Sequence, residues 1–241
     1  MDAVPILALE AIDSTNAEAR RRAEAGDMGP LWITARRQSA GRGRRGRTWE
    51  TGEGNLAATY LFAADRRVDE AAQVSFVAAL AVADLAEAFL PGRQIGLKWP
   101  NDLMIAGRKA AGILVESGAL APGRLWIAVG VGVNLAHAPD IPERPATAFA
   151  GHGVCPSPAE ALAVLAAAFE RWRILWDRQG FAAIAEAWTA KAHGLGERCE
   201  ARLADQTLIG LAEGLDPDGA LRLKLDDGQA VRITAGDVFF G

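Results

Sequence analysis

The segment Gly41-Arg42-Gly43-Arg44-Arg45-Gly46-Arg47-Thr48-Trp49 admits more than one architecture. It satisfies G-x-G-x-x-G, the dinucleotide fingerprint, so a Rossmann fold has to be weighed. That fingerprint turns from a strand directly into an apolar helix. Here Arg47-Thr48-Trp49-Glu50-Thr51-Gly52 follows, with Gly54 close behind, and no helix begins. The segment is therefore a loop between strand-like runs at 31–35 and 55–62. One reading is a basic patch for RNA or targeting, since six arginines lie between Arg36 and Arg47 with no acid among them. Another is a phosphate clamp. Glycines let backbone N–H groups approach a polyphosphate, and arginines neutralise it through bidentate hydrogen bonds. A merely solvated loop does not explain glycines packed among arginines. The loop alone leaves clamp and nucleic-acid patch equally open.

On its N-terminal side, Thr15 and Glu18 form a capping box and Gly26 a stop, which predicts a helix between them. On its C-terminal side, Asp69 opens a long Ala-rich helix that ends before Pro91-Gly92. Residues 95–98 read as a strand. Runs at 103–105 and 110–115 flank a tight hairpin at Gly107-Arg108, and 125–134 is a longer strand. Prolines 139, 142, 145 and 156 mark an irregular loop. Ser157, Pro158 and Glu160 combine N-cap, first-turn Pro and capping box. Leu162, Leu165, Phe169, Trp172 and Trp176 then recur at helical spacing and read as core. From Gly194 short alternating runs appear at 199–203, 207–215, 221–225 and 231–234. Asp218-Gly219 and Asp227-Gly228 are turns between them. The fold class is thus α/β in the α+β sense. A mixed sheet with helices fills a domain over 1–193, and a small antiparallel β-barrel follows over 194–241.

The bulk numbers exclude several classes. The 241 residues are 50% hydrophobic and 23% charged, an ordinary globular balance, and the formal net charge is −4. That charge disfavours nonspecific nucleic-acid binding, which needs a basic footprint. Cys155 and Cys199 lack the spacing of a zinc site or redox pair and read as reduced thiols. Three histidines argue against a His-based metal site. The N-terminus lacks a signal pattern, and no apolar stretch approaches the roughly 20 residues that span a bilayer. A cytoplasmic protein without membrane contact is expected.

Further segments narrow the function. Lys98-Trp99-Pro100-Asn101-Asp102 is followed by Lys109 and then Ala110-Ala111-Gly112-Ile113-Leu114-Val115-Glu116. A hairpin there holds Asp102 and Lys109 on neighbouring segments. Gly130-Val131-Gly132-Val133-Asn134 ends a strand with a backbone open to close approach. Ser14-Thr15-Asn16 opens the first helix. Each has a plain alternative: Ser14 or Thr15 as a cap, Asn134 as a turn residue, Lys109 as a hairpin cation.

Taken together and in this order, these motifs with Gln38 and the 41–49 loop resemble those of bacterial biotin protein ligases. The resemblance runs the whole chain. It implies a catalytic domain like that of class II synthetases, with an SH3-like β-domain behind it. Ser14 comes almost at once, which leaves no room for the helix-turn-helix of members that double as repressors, so repression is not expected.

The resemblance implies roles. Ser14, Thr15, Asn16 and Gln38 hydrogen-bond the biotin ring, with Gly112 beside it. Arg42, Gly43 and Arg44 close over the biotin carboxyl and the phosphates. Arg44, Arg45, Arg47, Trp49, Asn101 and Asn134 face ATP or the adenylate, and residues 146–149 loosely match an adenine-covering loop. Lys109 is the catalytic lysine, with Arg44 second and Asp102 an outer partner of phosphate-bound Mg2+; no metal ligand is assigned. The expected cofactors are ATP and Mg2+, and biotin is the substrate. The acceptor is a biotin carboxyl carrier domain, and a homodimer is left open. The chemistry fits, since a carboxylate must attack an α-phosphorus that carries several negative charges, and cations on both partners remove the repulsion. Lipoate attachment shares this chemistry, but the specific loop argues against it.

Overall fold

The structure, a computed structural model, describes residues 4–141 and 144–240. Its larger part is a seven-stranded sheet. The strands are β1 (Ile6–Ile12), β2 (Leu31–Gln38), β3 (Leu56–Ala64), β4 (Ile95–Lys98), β5 (Asp102–Ile105), β6 (Arg108–Ala121) and β7 (Arg124–Val133). Their order is β1-β2-β3-β7-β6-β5-β4. Only β1 and β2 run parallel, connected by helix α1 (Thr15–Glu24); every other pair is antiparallel.

Alternation along the strands sorts the two faces. On one face Leu56, Ala58, Tyr60, Ile127, Val129, Val131 and Ile113 join the main core. Over them lie α3 (Val74–Phe89), α4 (Pro158–Gln179) and α5 (Phe181–Ala190). On the other face α1 covers only part of β2, β3 and β7, through a small cluster with Ala19, Ile33, Leu61 and Ala128. Where α1 stops, that face carries Gly112, Gly130 and Gly132 instead of side chains, and a floor is left open.

Several expectations are amended. Glu18 does not close a capping box. Its carboxylate pairs with Arg21 and Arg22, and Ser14 sits at the cap without a capping hydrogen bond. The Ala-rich helix is broken at Ala72-Gln73 into a turn of helix over Val68–Ala71, labelled α2, and α3. By length and composition the whole stretch Val68–Phe89 could cross a membrane, against expectation. Its alanines let it pack closely, however, and most of α3 is buried between the sheet and α4. The tight turn is Ala106-Gly107, both at positive φ (49° and 74°), with Arg108 already paired to Ile105. The Ser157–Glu160 capping box forms as expected. Strand β1 and helix α5 had no clear signal in the sequence.

The C-terminal part is a five-stranded antiparallel sheet. It comprises β8 (Arg198–Arg202), β9 (Thr207–Leu215), β10 (Leu221–Leu225), β11 (Ala230–Ile233) and β12 (Asp237–Phe240), in the order β11-β10-β9-β8-β12. It shares the main core. Trp99 Nε1 donates to the Gly219 carbonyl at 3.0 Å. A Cβ on Gly219 would lie 2.9 Å from Phe76 and 3.1 Å from Phe181, so that turn is seated in the larger part. The connecting segment pairs with β4 through Leu97 and His193.

Candidate active site

The glycine floor opens into a cavity of about 520 Å³. Each wall comes from a different element. A second depression, between Arg66 and Gly123, contains none of the groups singled out in the sequence.

At one end uncharged groups interlock. The α1 N-terminus brings Thr15 to Gln38 at the end of β2. The Thr15 N–H donates to Gln38 Oε1 at 2.8 Å, and the Thr15 hydroxyl lies 3.2 Å from the same oxygen. Gln38 Nε2 donates to Thr51 Oγ1 at 2.9 Å. Thr59, fully buried on β3, lies 2.8 Å from Thr15 Oγ1 and 2.7 Å from Asn16 Oδ1. Asn16 Nδ2 donates to the Leu114 carbonyl at 3.2 Å and to Glu116 Oε2 at 2.8 Å. Both amide protons of Asn16 are thus committed to protein. Gly130 makes this possible, because a Cβ there would lie 2.1 Å from Asn16 Oδ1. Thr59, Thr51 and Glu116 were not singled out in the sequence. A lone aliphatic hydroxyl within the run Ala57-Ala58-Thr59-Tyr60-Leu61 is the signal that marks Thr59.

At the other end charge gathers. Lys109 Nζ donates to Asp102 Oδ1 at 2.5 Å, and Lys98 Nζ is 3.5 Å from Asp102 Oδ2. The β5–β6 hairpin brings the expected pair together, with a bulge at Leu103/Met104. Arg44 Nη1 donates to Asn101 Oδ1 at 3.3 Å, and Asn101 Nδ2 donates to the Ile113 carbonyl at 2.6 Å. Burial pushes the Arg44 guanidinium below its ordinary value, against the opposing pull of Asp237 and Asp102; it remains a cation. Residues 145–147 run alongside Lys109 through two backbone hydrogen bonds, and Asn134 Nδ2 donates to the Thr147 carbonyl at 3.2 Å. The loosely matched covering loop does lie here.

The glycine–arginine loop is a closed hairpin. Gly43 N–H donates to the Arg47 carbonyl, Trp49 N–H donates to the Gly41 carbonyl, and Arg45 occupies the left-handed region at φ 57°. The Trp49 indole lies across the floor: a Cβ on Gly132 would meet it at 2.3 Å and one on Gly112 at 3.1 Å. Arg42, Gly43 and Arg44 line the cavity. Arg45, expected to face ATP, engages the C-terminal sheet instead, whereas Arg47 lines the cavity but commits its guanidinium to the same sheet. Arg47 pairs with Asp237 at 2.8 and 3.1 Å, and Arg45 donates to the carbonyls of Arg202 and Leu203 at 3.3 Å. Their charge is satisfied by that sheet.

Residues 9–134 match the model of the biotin/lipoate A/B protein ligase family, and residues 194–241 match the biotin protein ligase C-terminal domain. The chain belongs to the biotin/lipoate A/B protein ligase family. It is 46% identical to a biotin–[acetyl-CoA-carboxylase] ligase of Paracoccus denitrificans, over 95% of this chain and 98% of that one. A Mycobacterium tuberculosis protein of the same name is 33% identical over 93% of this chain and 85% of its own. The fold superposes on an Aquifex aeolicus biotin protein ligase in complex with biotin and ATP. The TM-score is 0.81 with 25% identity, and 98% of each chain is covered.

The residues present do not form a cage for Mg2+. Among the described residues no three acidic, His or Cys side chains converge, and Asp102 is already ion-paired with two lysines.

Proposed function

We propose that this protein is an ATP-dependent biotin protein ligase. It joins biotin to AMP and passes the biotinyl group to a lysine of a carrier domain, such as the carrier subunit of acetyl-CoA carboxylase. The observation that carries this reading is one cavity with two chemistries. A neutral hydrogen-bonding end suits an uncharged ureido ring, and a cationic end suits a carboxylate and phosphates.

Ser14, Thr15 and Gln38 are assigned to the ureido ring, with Asn16 and Thr59 holding them. Gly112 and Gly132 are the floor and Trp49 the wall along the acyl chain. In the first step a biotin carboxylate oxygen attacks the α-phosphorus, the bond to the β-phosphate oxygen breaks, and pyrophosphate leaves. Lys109 and Arg44, with Arg42 at the rim, offset the charge that develops. Asp102 keeps Lys109 aimed. Asn101 and Asn134 are assigned to the adenylate. In the second step a neutral acceptor amine attacks the mixed-anhydride carbonyl, AMP leaves, and the amine loses a proton. Magnesium is read as arriving with ATP, since no protein cage fits it; no step is assigned to it. We assign activation to residues 1–193 and read 194–241 as a supporting β-domain in a cytoplasmic enzyme.

The test is pyrophosphate release from the purified protein with ATP. Release that depends on biotin, and labelling of an acceptor domain, are expected. Release that follows lipoate and ignores biotin overturns the reading in favour of the sister activity within the family.

A further inference from the structure

We propose that Asp237 is a positioning residue for ATP: from the last strand of the C-terminal sheet it sets Arg44, through Arg47, at the phosphate end of the cavity. This rests on the ligase reading above. The Arg47 guanidinium joins two groups through three acceptor oxygens. Its two terminal nitrogens take the two oxygens of Asp237, and its Nε donates to the Arg44 carbonyl at 3.2 Å. One rigid fork therefore joins the C-terminal strand to the backbone of Arg44. Arg45 adds a strap to Arg202, Leu203 and Asp237 from the same turn. With the guanidinium groups of Arg45 and Arg47 committed to the C-terminal sheet, Arg44 alone of the three donates to Asn101.

A carboxylate at the mouth of a phosphate site is repulsive unless neutralised. Burial by itself raises Asp237, but the Arg47 hydrogen bonds, with the charges of Arg45 and Arg144, hold it below the usual carboxylate range. The pair is thus an internal ion pair, and its contribution is orientation, not attraction. Docking of the sheet does not depend on it. The Gly219 turn under Trp99, Phe76 and Phe181, and the Phe240 ring against Gly194 and His193, already provide that contact.

The full-length protein and three variants decide the matter: Asp237→Asn, Asp237→Glu and, as a control, Asp226→Asn. Asp226 forms an exposed pair with Arg198 elsewhere on the same sheet. For Asp237→Asn the ATP KM should rise roughly tenfold, as a partly buried charged pair warrants. Biotin affinity by calorimetry should stay within about twofold and Tm within a few degrees. Asp237→Glu should recover most of the loss, and Asp226→Asn should match wild type. An ATP KM within about twofold of wild type for Asp237→Asn overturns the proposal. So does a loss shared equally by biotin affinity and Tm, which indicates a merely structural role. If wild type itself releases no pyrophosphate, the ligase reading fails, and tryptic cleavage at Arg45 and Arg47 still judges the latch. Faster cutting in Asp237→Asn supports it, and equal cutting overturns it.

Discussion

Ser14, Thr15, Asn16 and Thr59 are buried, uncharged and mostly bonded to one another, whereas Arg42, Arg44, Arg45 and Arg47 lie on the glycine-rich loop, Arg45 and Arg47 held by ion pairs to Asp237 and Arg44 by a hydrogen bond to Asn101. Both groups line or brace one cavity. The first is built on a helix end and two strands, where a misplaced polar atom costs about 1–3 kcal/mol. No buried side-chain N or O lacks a partner among the described residues, so this end is organised before any ligand arrives. The second stands on a glycine-rich hairpin, and Arg45 and Arg47 of that hairpin are paired from outside by Asp237. Specificity is placed on buried, mutually bonded groups, and charge on a loop braced by the C-terminal sheet.

The sharpest way to break this comparison is to remove the strand-borne lysine that donates to Asp102. Lys109→Met keeps the length and loses the charge. Adenylate formation should fall by roughly two to four orders of magnitude, the scale of losing a preorganised electrostatic donor. Biotin affinity should change far less. An adenylation rate within about threefold of wild type removes Lys109 from the chemistry.

The floor is next. Gly132→Ala places a Cβ where the Trp49 ring lies, at 2.3 Å, while Gly112→Ala meets the ring only at 3.1 Å. Overpacking of this kind costs about 1–3 kcal/mol. Biotin affinity should therefore weaken by ten- to a hundredfold in the first variant and only a fewfold in the second. Equal effects in calorimetry place Trp49 elsewhere in the bound state.

Salt separates the two ends. Gln38→Leu strands the Thr15 N–H and removes the partner of Thr51, so biotin affinity should drop about tenfold at any ionic strength. Arg44→Ala should raise the ATP KM, with a difference from wild type that shrinks as salt rises. Matching salt dependence in both variants contradicts the division into a neutral and a charged end.

Much of this was legible because the residues concerned carry backbone consequences. The glycines of 41–46 excluded a helix. The Gly130-Val131-Gly132-Val133 alternation placed small residues on one face, and the spacing from Asp102 to Lys109 required a hairpin. The bulge and the Ala106-Gly107 turn lay below that resolution, because Ala106 is not an obvious left-handed residue. Thr59 and Glu116 were hidden because their partners lie some 43 and 100 positions away. The pairing of Arg45 and Arg47 with the C-terminal sheet was illegible for the same reason: Asp237 is 190 residues from Arg47, and identical side chains in one run gave no hint of which would pair there.

The smallest expected effect tests whether the neutral end needs any charge at all. Asp13 precedes the Ser14-Thr15-Asn16 turn, and its Oδ1 accepts from the Ser14 N–H at 2.7 Å. Arg21, one bidentate partner at 2.8 Å, lowers its pKa to about 2, with the Ser14 hydrogen bond assisting. A carboxylate lowered in the folded state adds stability that is present above its unfolded value. That stability is lost as pH falls toward about 2. Both side chains are nearly half exposed, so solvent screening keeps the contribution within about 1 kcal/mol. Asp13→Asn should thus lower Tm by only a few degrees at neutral pH, and the difference should shrink at pH 3. Biotin affinity should move by less than about threefold, because Gln38 and Thr59 hold Thr15 independently. Calorimetric titration and thermal melts at pH 7 and pH 3 measure both quantities. A tenfold loss of biotin affinity in Asp13→Asn shows that the buried network depends on this surface pair, and the contrast between a stiff neutral end and an ion-paired loop then fails.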